Sequence, residues 1–150
     1  MATTTANLSL SSADLVGDAL NISTSNTLYK AGTTEGVNQT TGIASVYLTA
    51  VTNVDIFGAI VDAPAFQGKS HWVYICNKST VETEYATITI GDKVIGRLYA
   101  GDWMWMPWDS DVVAVGAGGS AIEIQAYVAE ATIEYCLFHN GETKLTSDDS

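Results

Sequence analysis

The sequence feature that most constrains the fold is the alternation of apolar and polar side chains along several segments. A half-buried β-strand has this period of two residues. In residues 84–90, Ala86, Ile88 and Ile90 fall on one face and the intervening residues on the other. Residues 127–138 alternate in the same way, with two glutamates on the face that we assign to solvent. Thr, Val, Ile and Tyr dominate these runs and suit a pleated, half-buried surface. The body of the chain is therefore predicted to be β-sheet.

Turn signals divide the chain into short runs. Residues 71–77, HWVYICN, are apolar on both faces, which predicts a central strand. Gly91 and Asp92 indicate a hairpin, and glycines mark reversals at 101–102 and 116–119. About eight short strands separated by such turns are typical of an antiparallel sandwich or jelly roll. We therefore predict an all-β fold, an antiparallel β-sandwich of jelly-roll-like form. The predicted boundaries are an extended N-terminal arm over 1–17, the β-sandwich domain over 18–139 and a solvated C-terminal tail over 140–150.

The chain is acidic, with seventeen Asp and Glu against six Lys and Arg and a formal net charge of −11. This balance disfavours binding to phosphate backbones and to anionic membrane surfaces, so we predict no nucleic-acid and no membrane partner. The first fifteen residues lack a basic stretch followed by an apolar one, which predicts that no signal peptide is present. Because a chain made in a cytosol rarely keeps a disulfide, Cys76 and Cys136 are predicted to be reduced.

The most unusual segment is 101–111, GDWMWMPWDSD, which concentrates tryptophan and methionine. Three interpretations stay open: the domain's own core, a protein–protein interface, or a carbohydrate site in which sugars stack on tryptophan. The interface hypothesis takes Trp103, Met104, Trp105, Met106 and Trp108 of this segment, with Leu8 and Leu10 of an N-terminal docking arm over 2–12. The carbohydrate hypothesis adds Asp102, Asp109 and Asp111 as possible ligand-binding carboxylates.

Patterns typical of enzymes are missing from the sequence. The two histidines, His71 and His139, stand without a Gly-x-Ser-x-Gly elbow, and no His, Cys or Asp cluster has metal-ligand spacing. We interpret His71 as a structural residue of an apolar strand and expect His139 to be exposed. The prediction is a protein that is not an enzyme and has no cofactor and no metal.

Residues 71–138 carry a pattern that resembles small β-sandwich structural proteins of tailed bacteriophages, of the marine and cyanobacterial phage type. A strand ends in Asn-x-Ser at 73–79, and an Ile-Gly hairpin follows at 88–98. A turn with Gly, Asp, aromatic residues and Pro covers 101–108, and the last strand ends in an aromatic residue at 133–138. The resemblance spans a little under half of the chain.

The resemblance implies a structural role in the virion, with synthesis in the host cytoplasm. It favours a capsid decoration (cement) protein that stabilises the assembled shell, and a neck or tail component is the alternative position. Such proteins are usually symmetric oligomers, so the expected partners are further copies of the chain, with a trimer favoured, and the major capsid protein or other virion proteins. A carbohydrate-binding or receptor-binding module is the alternative from another functional class.

Overall fold

The computed structural model describes residues 3–14, 16–30, 33–57, 70–109, 121–127 and 130–139. Within these ranges the chain forms eleven β-strands, and every strand pair is antiparallel, so the predicted all-β antiparallel fold is confirmed. The strands are β1 (Thr4–Ser12), β2 (Leu20–Leu28), β3 (Gln39–Thr40), β4 (Ala44–Leu48), β5 (Asn53–Asp55), β6 (Ser70–Asn77), β7 (Tyr85–Ile90), β8 (Lys93–Tyr99), β9 (Trp103–Asp109), β10 (Ile122–Tyr127) and β11 (Ala131–His139).

The chain divides into two compact units, and the first comprises residues 1–38. Its main element is a hairpin in which β1 pairs with β2 over nine residue pairs without a register shift. Past β2, Tyr29 pairs with Gly36, and the Thr4 hydroxyl donates to the Val37 carbonyl at 2.8 Å. The predicted boundary between arm and sandwich, at residues 17 and 18, falls in the segment between β1 and β2; β2 pairs with β1, and the first unit ends at residue 38.

The second unit, residues 39–150, contains two antiparallel sheets. One sheet has the strand order β5-β10-β7-β8. In the other sheet, β6 lies between β11 and β9. The other edge of β11 pairs with two short strands, with β4 along its first part and with β3 at its end. The predicted central strand at 71–77 is indeed paired on both sides, by β11 and by β9.

Apolar residues from both sheets form one core. Ala86 and Ile88 of β7 are buried as the alternation predicted, and Ile133 of β11 is fully buried. Residues 127–138 do not form one strand, because β10 ends at Tyr127 and β11, which begins at Ala131, belongs to the other sheet. The buried core comprises Leu48, Ile56, Phe57, Val73, Ile75, Ala86, Ile88, Leu98, Trp108, Ile122, Ile124, Ala126, Ala131, Ile133 and Leu137.

A buried asparagine connects the two sheets at the end of β6. The side-chain amide of Asn77, which is 0% exposed, donates to the carbonyls of Leu98 at 3.0 Å and Glu84 at 3.2 Å. Its Oδ1 accepts from the Ser79 backbone N–H at 3.0 Å. Buried polar side chains are nearly always hydrogen-bonded in this way. Asn77 therefore links the end of β6 to strand β8 and to the residue that precedes β7 in the other sheet.

Candidate functional site and interaction surfaces

Strand β9 divides the tryptophan- and methionine-rich segment between the core and the surface. Trp108 is 3% exposed, and its ring centroid lies 5.4 Å from that of Phe57. Met104 and Met106 are half-buried and pack against the core. The core interpretation therefore applies to these three residues, and Trp108 is too buried for the interface role that the sequence predicted. Trp103, which is 54% exposed, and Trp105 lie at the alternate positions of β9, on the side of the sheet opposite to Trp108.

The outer side of the β11-β6-β9 sheet carries five aromatic residues, which we call the aromatic face: Trp72, Tyr74, Trp103, Trp105 and Phe138. The rings of Trp72 and Trp105 lie 5.3 Å apart at an interplanar angle of 11°, in a stacked arrangement. Phe138 meets Trp105 edge-on, with centroids 5.3 Å apart. All except the exposed Trp103 are half-buried, so these rings are held in place by one another while part of their surface stays accessible.

Both cysteines lie on the same side of the sheet as the aromatic face, and both are free and buried. Cys76 is opposite Glu134 and Cys136 is opposite Tyr74, so the cysteines are diagonal neighbours in adjacent strands. Diagonal pairs stand about 7–8 Å apart, which exceeds the usual Cα separation of a disulfide. A hydrogen bond with Cys76, together with burial, raises the pKa of Tyr74 to about 12.

Of the three aspartates of the carbohydrate hypothesis, the structure describes Asp102 and Asp109, which lie at opposite ends of β9. Asp102 closes the turn between β8 and β9, where its Oδ2 accepts from the Tyr99 backbone N–H at 3.0 Å. Its carbonyl also accepts from the Asn77 N–H at 2.9 Å. Asp109 is the last residue of β9, and Asp111 lies outside the described residues. Asp102 is thus engaged in local structure.

The hairpin of β1 and β2 has one apolar side, which we call the hairpin face. Its apolar residues are Ala6, Leu8, Leu10, Leu20, Ile22 and the buried Leu28, which the register places on a common side with Thr4, Ser12, Thr24 and Asn26. Leu10, Leu20 and Ile22 are about two-fifths exposed, at 43%, 39% and 42%, and Leu8 is half-buried. The other side carries only Ser, Thr and Asn. Leu8 and Leu10, which the sequence selected for an interface, therefore lie together on a partly accessible apolar surface.

A third surface, which sequence reasoning missed, lies on the outer side of the other sheet. Tyr127, Tyr85 and Tyr99 are direct neighbours across β10, β7 and β8, with centroids 5.2 Å apart at each step. The Arg97 guanidinium lies 4.7 Å from the centre of the Tyr85 ring. In the next row on the same side stand Gln125, Thr87 and Arg97. Only the strand register brings these tyrosines together, because they are 14 and 28 residues apart along the chain.

The histidines and acidic residues form no recognisable catalytic or metal centre among the described residues. His71 is 0% and His139 is 1% exposed, so the expectation that His139 is exposed was wrong. It lies on the same side of β11 as the buried Ile133 and Leu137, at the end of the strand that pairs with β3, where His139 is opposite Gln39. Across the described ranges, no group of three or more His, Cys, Asp or Glu side chains is placed to hold a metal ion.

No helix in the described residues has the length and hydropathy needed to cross a membrane. No protein-family model, curated protein or solved structure matches this chain. Its function therefore has to be inferred from its own surfaces, of which the aromatic face, the hairpin face and the tyrosine row are the most distinctive.

Proposed function

We propose that this chain is a non-enzymatic structural protein of a phage virion, a decoration protein that binds the outside of the capsid and stabilises the assembled shell. The observation that carries the proposal is the aromatic face. Five aromatic rings on one side of a sheet, with Glu134 as the charged residue among them, have the composition of the centre of a protein–protein interface. Trp and Tyr are also the residues that most often dominate binding energy.

The strand order supports this role. Strands β4 to β11 are divided between sheets of order β4-β11-β6-β9 and β5-β10-β7-β8, and the chain changes sheet at every connection except the β7–β8 hairpin. Eight strands connected in this way correspond to a jelly roll, an architecture found in viral capsid proteins and lectins. We infer from this order that residues 44–139 are a jelly-roll domain. The fold alone does not assign a function, so the resemblance of residues 71–138 to phage structural proteins and the aromatic face supply the rest of the support.

The chemistry of such a protein is binding alone. A decoration protein that binds assembled capsid and not free subunits stabilises the shell by mass action, in proportion to the logarithm of its free concentration over Kd. The face must therefore be accessible before binding and be buried afterwards. Trp103 meets the first condition, because more than half of its surface is exposed. Trp105 is held by Trp72 and Phe138, so little ordering of its ring is needed on binding.

Co-sedimentation with shells of the major capsid protein from the same virion tests the proposal. We expect Trp103→Ala and Trp105→Ala each to weaken binding by at least about tenfold, the loss typical of a hot-spot residue. Tyr127→Ala is the matched control, since Tyr127 is 56% exposed on the other sheet. Thermal unfolding of each variant separates lost binding from lost folding. Wild-type occupancy by both tryptophan variants would contradict the proposal.

A second candidate, a glycan-binding module, is favoured by the tyrosine row. Sugar rings present an apolar C–H face and a hydroxyl rim, and here tyrosines lie next to a row of hydrogen-bonding side chains, Gln125, Thr87 and Arg97. Two rows on one side of a strand are about 7 Å apart, within the span of one sugar unit and its hydroxyls. A glycan array distinguishes the candidates: hits lost in Tyr127→Ala and kept in Trp103→Ala would favour this function over capsid binding.

A further inference from the structure

Glu134 lies in the interior of the sheet that carries the aromatic face. On one side it is opposite Cys76 of β6, and Cys76 is in turn opposite Trp103 of β9. On the other side it is opposite Ser45 of β4. Residues directly opposite each other project from the same side of a sheet, so the Glu134 side chain shares the outer surface with the aromatic rings.

The carboxylate of Glu134 has no cation beside it within the described residues. The side chain is half-buried, and the only ion pair in these ranges joins Lys30 to Glu35 in the first unit. Lys78, which is exposed just past the end of β6, is not in ion-pair contact with it. Glu134 is therefore a partly desolvated negative charge without a counter-charge in the described part of its own chain.

Covering the aromatic face would remove this charge from water. A buried carboxylate without a counter-charge is strongly destabilising, whereas one that is paired and hydrogen-bonded is tolerated. Glu134 does not lie at an edge of the sheet, because β4 pairs with one side of its strand and β6 with the other. A partner that buries the face therefore has to place a cation against Glu134.

The residues beside Glu134 favour the guanidinium of arginine as that cation. Two inter-strand spacings separate Glu134 from the exposed Trp103, so their Cα atoms stand about 10 Å apart. A hydrogen bond with Cys76 is the main cause of the raised pKa of Tyr74, and the charge of Glu134 contributes to it, so the Tyr74 ring lies near this carboxylate. Arginine stacks on aromatic rings and binds carboxylates through two parallel N–H···O bonds, so one guanidinium can contact both kinds of group.

A second copy of this chain is a poor source of the arginine. Its net charge is −11, so two copies repel each other over most of their surfaces. Its one arginine, Arg97, lies on the other sheet, with its guanidinium 4.7 Å from the centre of the Tyr85 ring. The arginine is therefore expected from a different protein.

We propose that Glu134 and the neighbouring aromatic rings form a binding site for an arginine side chain of the capsid protein, whose guanidinium pairs with the carboxylate and stacks on Trp103. The identity of the partner rests on the proposed function, whereas the arginine site itself does not. A charge pair within an aromatic interface fixes the register in which two proteins dock. The site thus gives specificity to a face whose rings supply binding energy.

Titration of the full chain with Nα-acetyl-arginine amide tests the site without a capsid, followed by the chemical shift of the Trp103 indole N–H. We expect a saturable shift in wild type and in Glu123→Gln, and at least about threefold weaker binding in Glu134→Gln. Glu123→Gln is the matched control, because it removes the same charge from a half-buried position on the other sheet. The citrulline analogue, which has the same shape and no charge, should give no shift. Absence of a saturable shift in wild type, an equal shift with citrulline, or equal binding by Glu134→Gln overturns the proposal.

Co-sedimentation with capsid shells tests whether the partner uses the site. We expect the dissociation constant of Glu134→Gln to rise at least about tenfold over that of Glu123→Gln, and that of Glu134→Lys to rise further. Thermal unfolding checks that each variant is folded. Equal binding by Glu134→Gln and wild type, with binding still lost in Trp103→Ala, overturns the inference and leaves the proposed function intact. Absence of wild-type binding overturns the proposed function and the capsid as the source of the arginine, and the titration then decides the site alone.

Discussion

Replacing Asn77 with alanine is the sharpest test of how the sandwich is held together. The substitution removes three hydrogen bonds, to Leu98, Glu84 and Ser79, at a side chain that is fully buried. The Leu98 carbonyl, whose hydrogen bond is also buried, would lose this partner at about 1–3 kcal/mol. The other two bonds are partly buried and are each worth about 1 kcal/mol. We therefore expect a loss of roughly 3–5 kcal/mol in the free energy of unfolding.

That loss is a large share of the stability of a typical domain, which is about 5–15 kcal/mol. Urea unfolding followed by tryptophan fluorescence measures it, and an unchanged m-value shows that the unfolding reaction is the same. Asn53→Ala is the control, because Asn53 is exposed and its amide makes one hydrogen bond, to Glu123 at 2.7 Å. It should cost less than about 1 kcal/mol. A cost below about 1 kcal/mol for Asn77→Ala would refute the reasoning.

The Asn77→Asp variant tests the orientation of the Asn77 amide, whose nitrogen donates to two carbonyl groups. The new carboxylate would face two carbonyl oxygens, so its pKa in the folded state should be raised above its value in the unfolded chain. A raised folded-state pKa means that the penalty is smallest below the unfolded pKa of about 4 and grows as the pH rises above it. Compared with wild type at each pH, Asn77→Asp should therefore be most destabilised near neutrality. A destabilisation independent of pH would contradict this placement of the amide.

Three further predictions concern single residues. Spectrophotometric titration should show one tyrosine ionising near pH 12, and Cys76→Ala should lower that pKa toward 10, because the hydrogen bond with Cys76 is the main cause of the rise at Tyr74. Since the pKa is raised in the folded state, this tyrosine's contribution to stability is complete below about pH 10 and is lost between pH 10 and 12. Trp108→Ala should cost about 3–5 kcal/mol and Trp103→Ala less than about 1, measured by urea unfolding, and equal costs would contradict the division of β9 between core and surface. Gly91→Ala should cost about 1 kcal/mol in the same assay, because Gly91 has a φ of 56° in the β7–β8 turn, and a stabilising effect would exclude that backbone conformation.

The local pattern of apolar and polar residues was sufficient to predict two of the strands and how they are buried. The alternation of Ala86 and Ile88 predicted which side of β7 is buried, and the doubly apolar run at 71–77 predicted a central strand. In both cases the information lies within a few residues. The division of the tryptophans between core and surface also follows this period once the inward position of Trp108 is known.

The errors arose where long-range pairing decides the outcome. No sequence near His139 indicates that β3, a hundred residues earlier, pairs with the end of β11 and extends the sheet there. The run at 127–138 has no glycine or proline, so its division between two sheets left no local signal. The tyrosine row depends on the registers of three strands at once.

The position of β11 has a consequence for how the protein reaches its folded state. This strand pairs with β4 and β6, which precede it by more than fifty residues. The sheet that contains these strands therefore cannot be completed until β11 has been synthesised. At a synthesis rate of about 5–20 residues per second, β6 remains without this neighbour for roughly 3–10 seconds. During that time its apolar residues and backbone groups are open to other nascent chains. High expression rates should therefore favour aggregation, and slower synthesis at lower temperature should increase the yield of soluble protein.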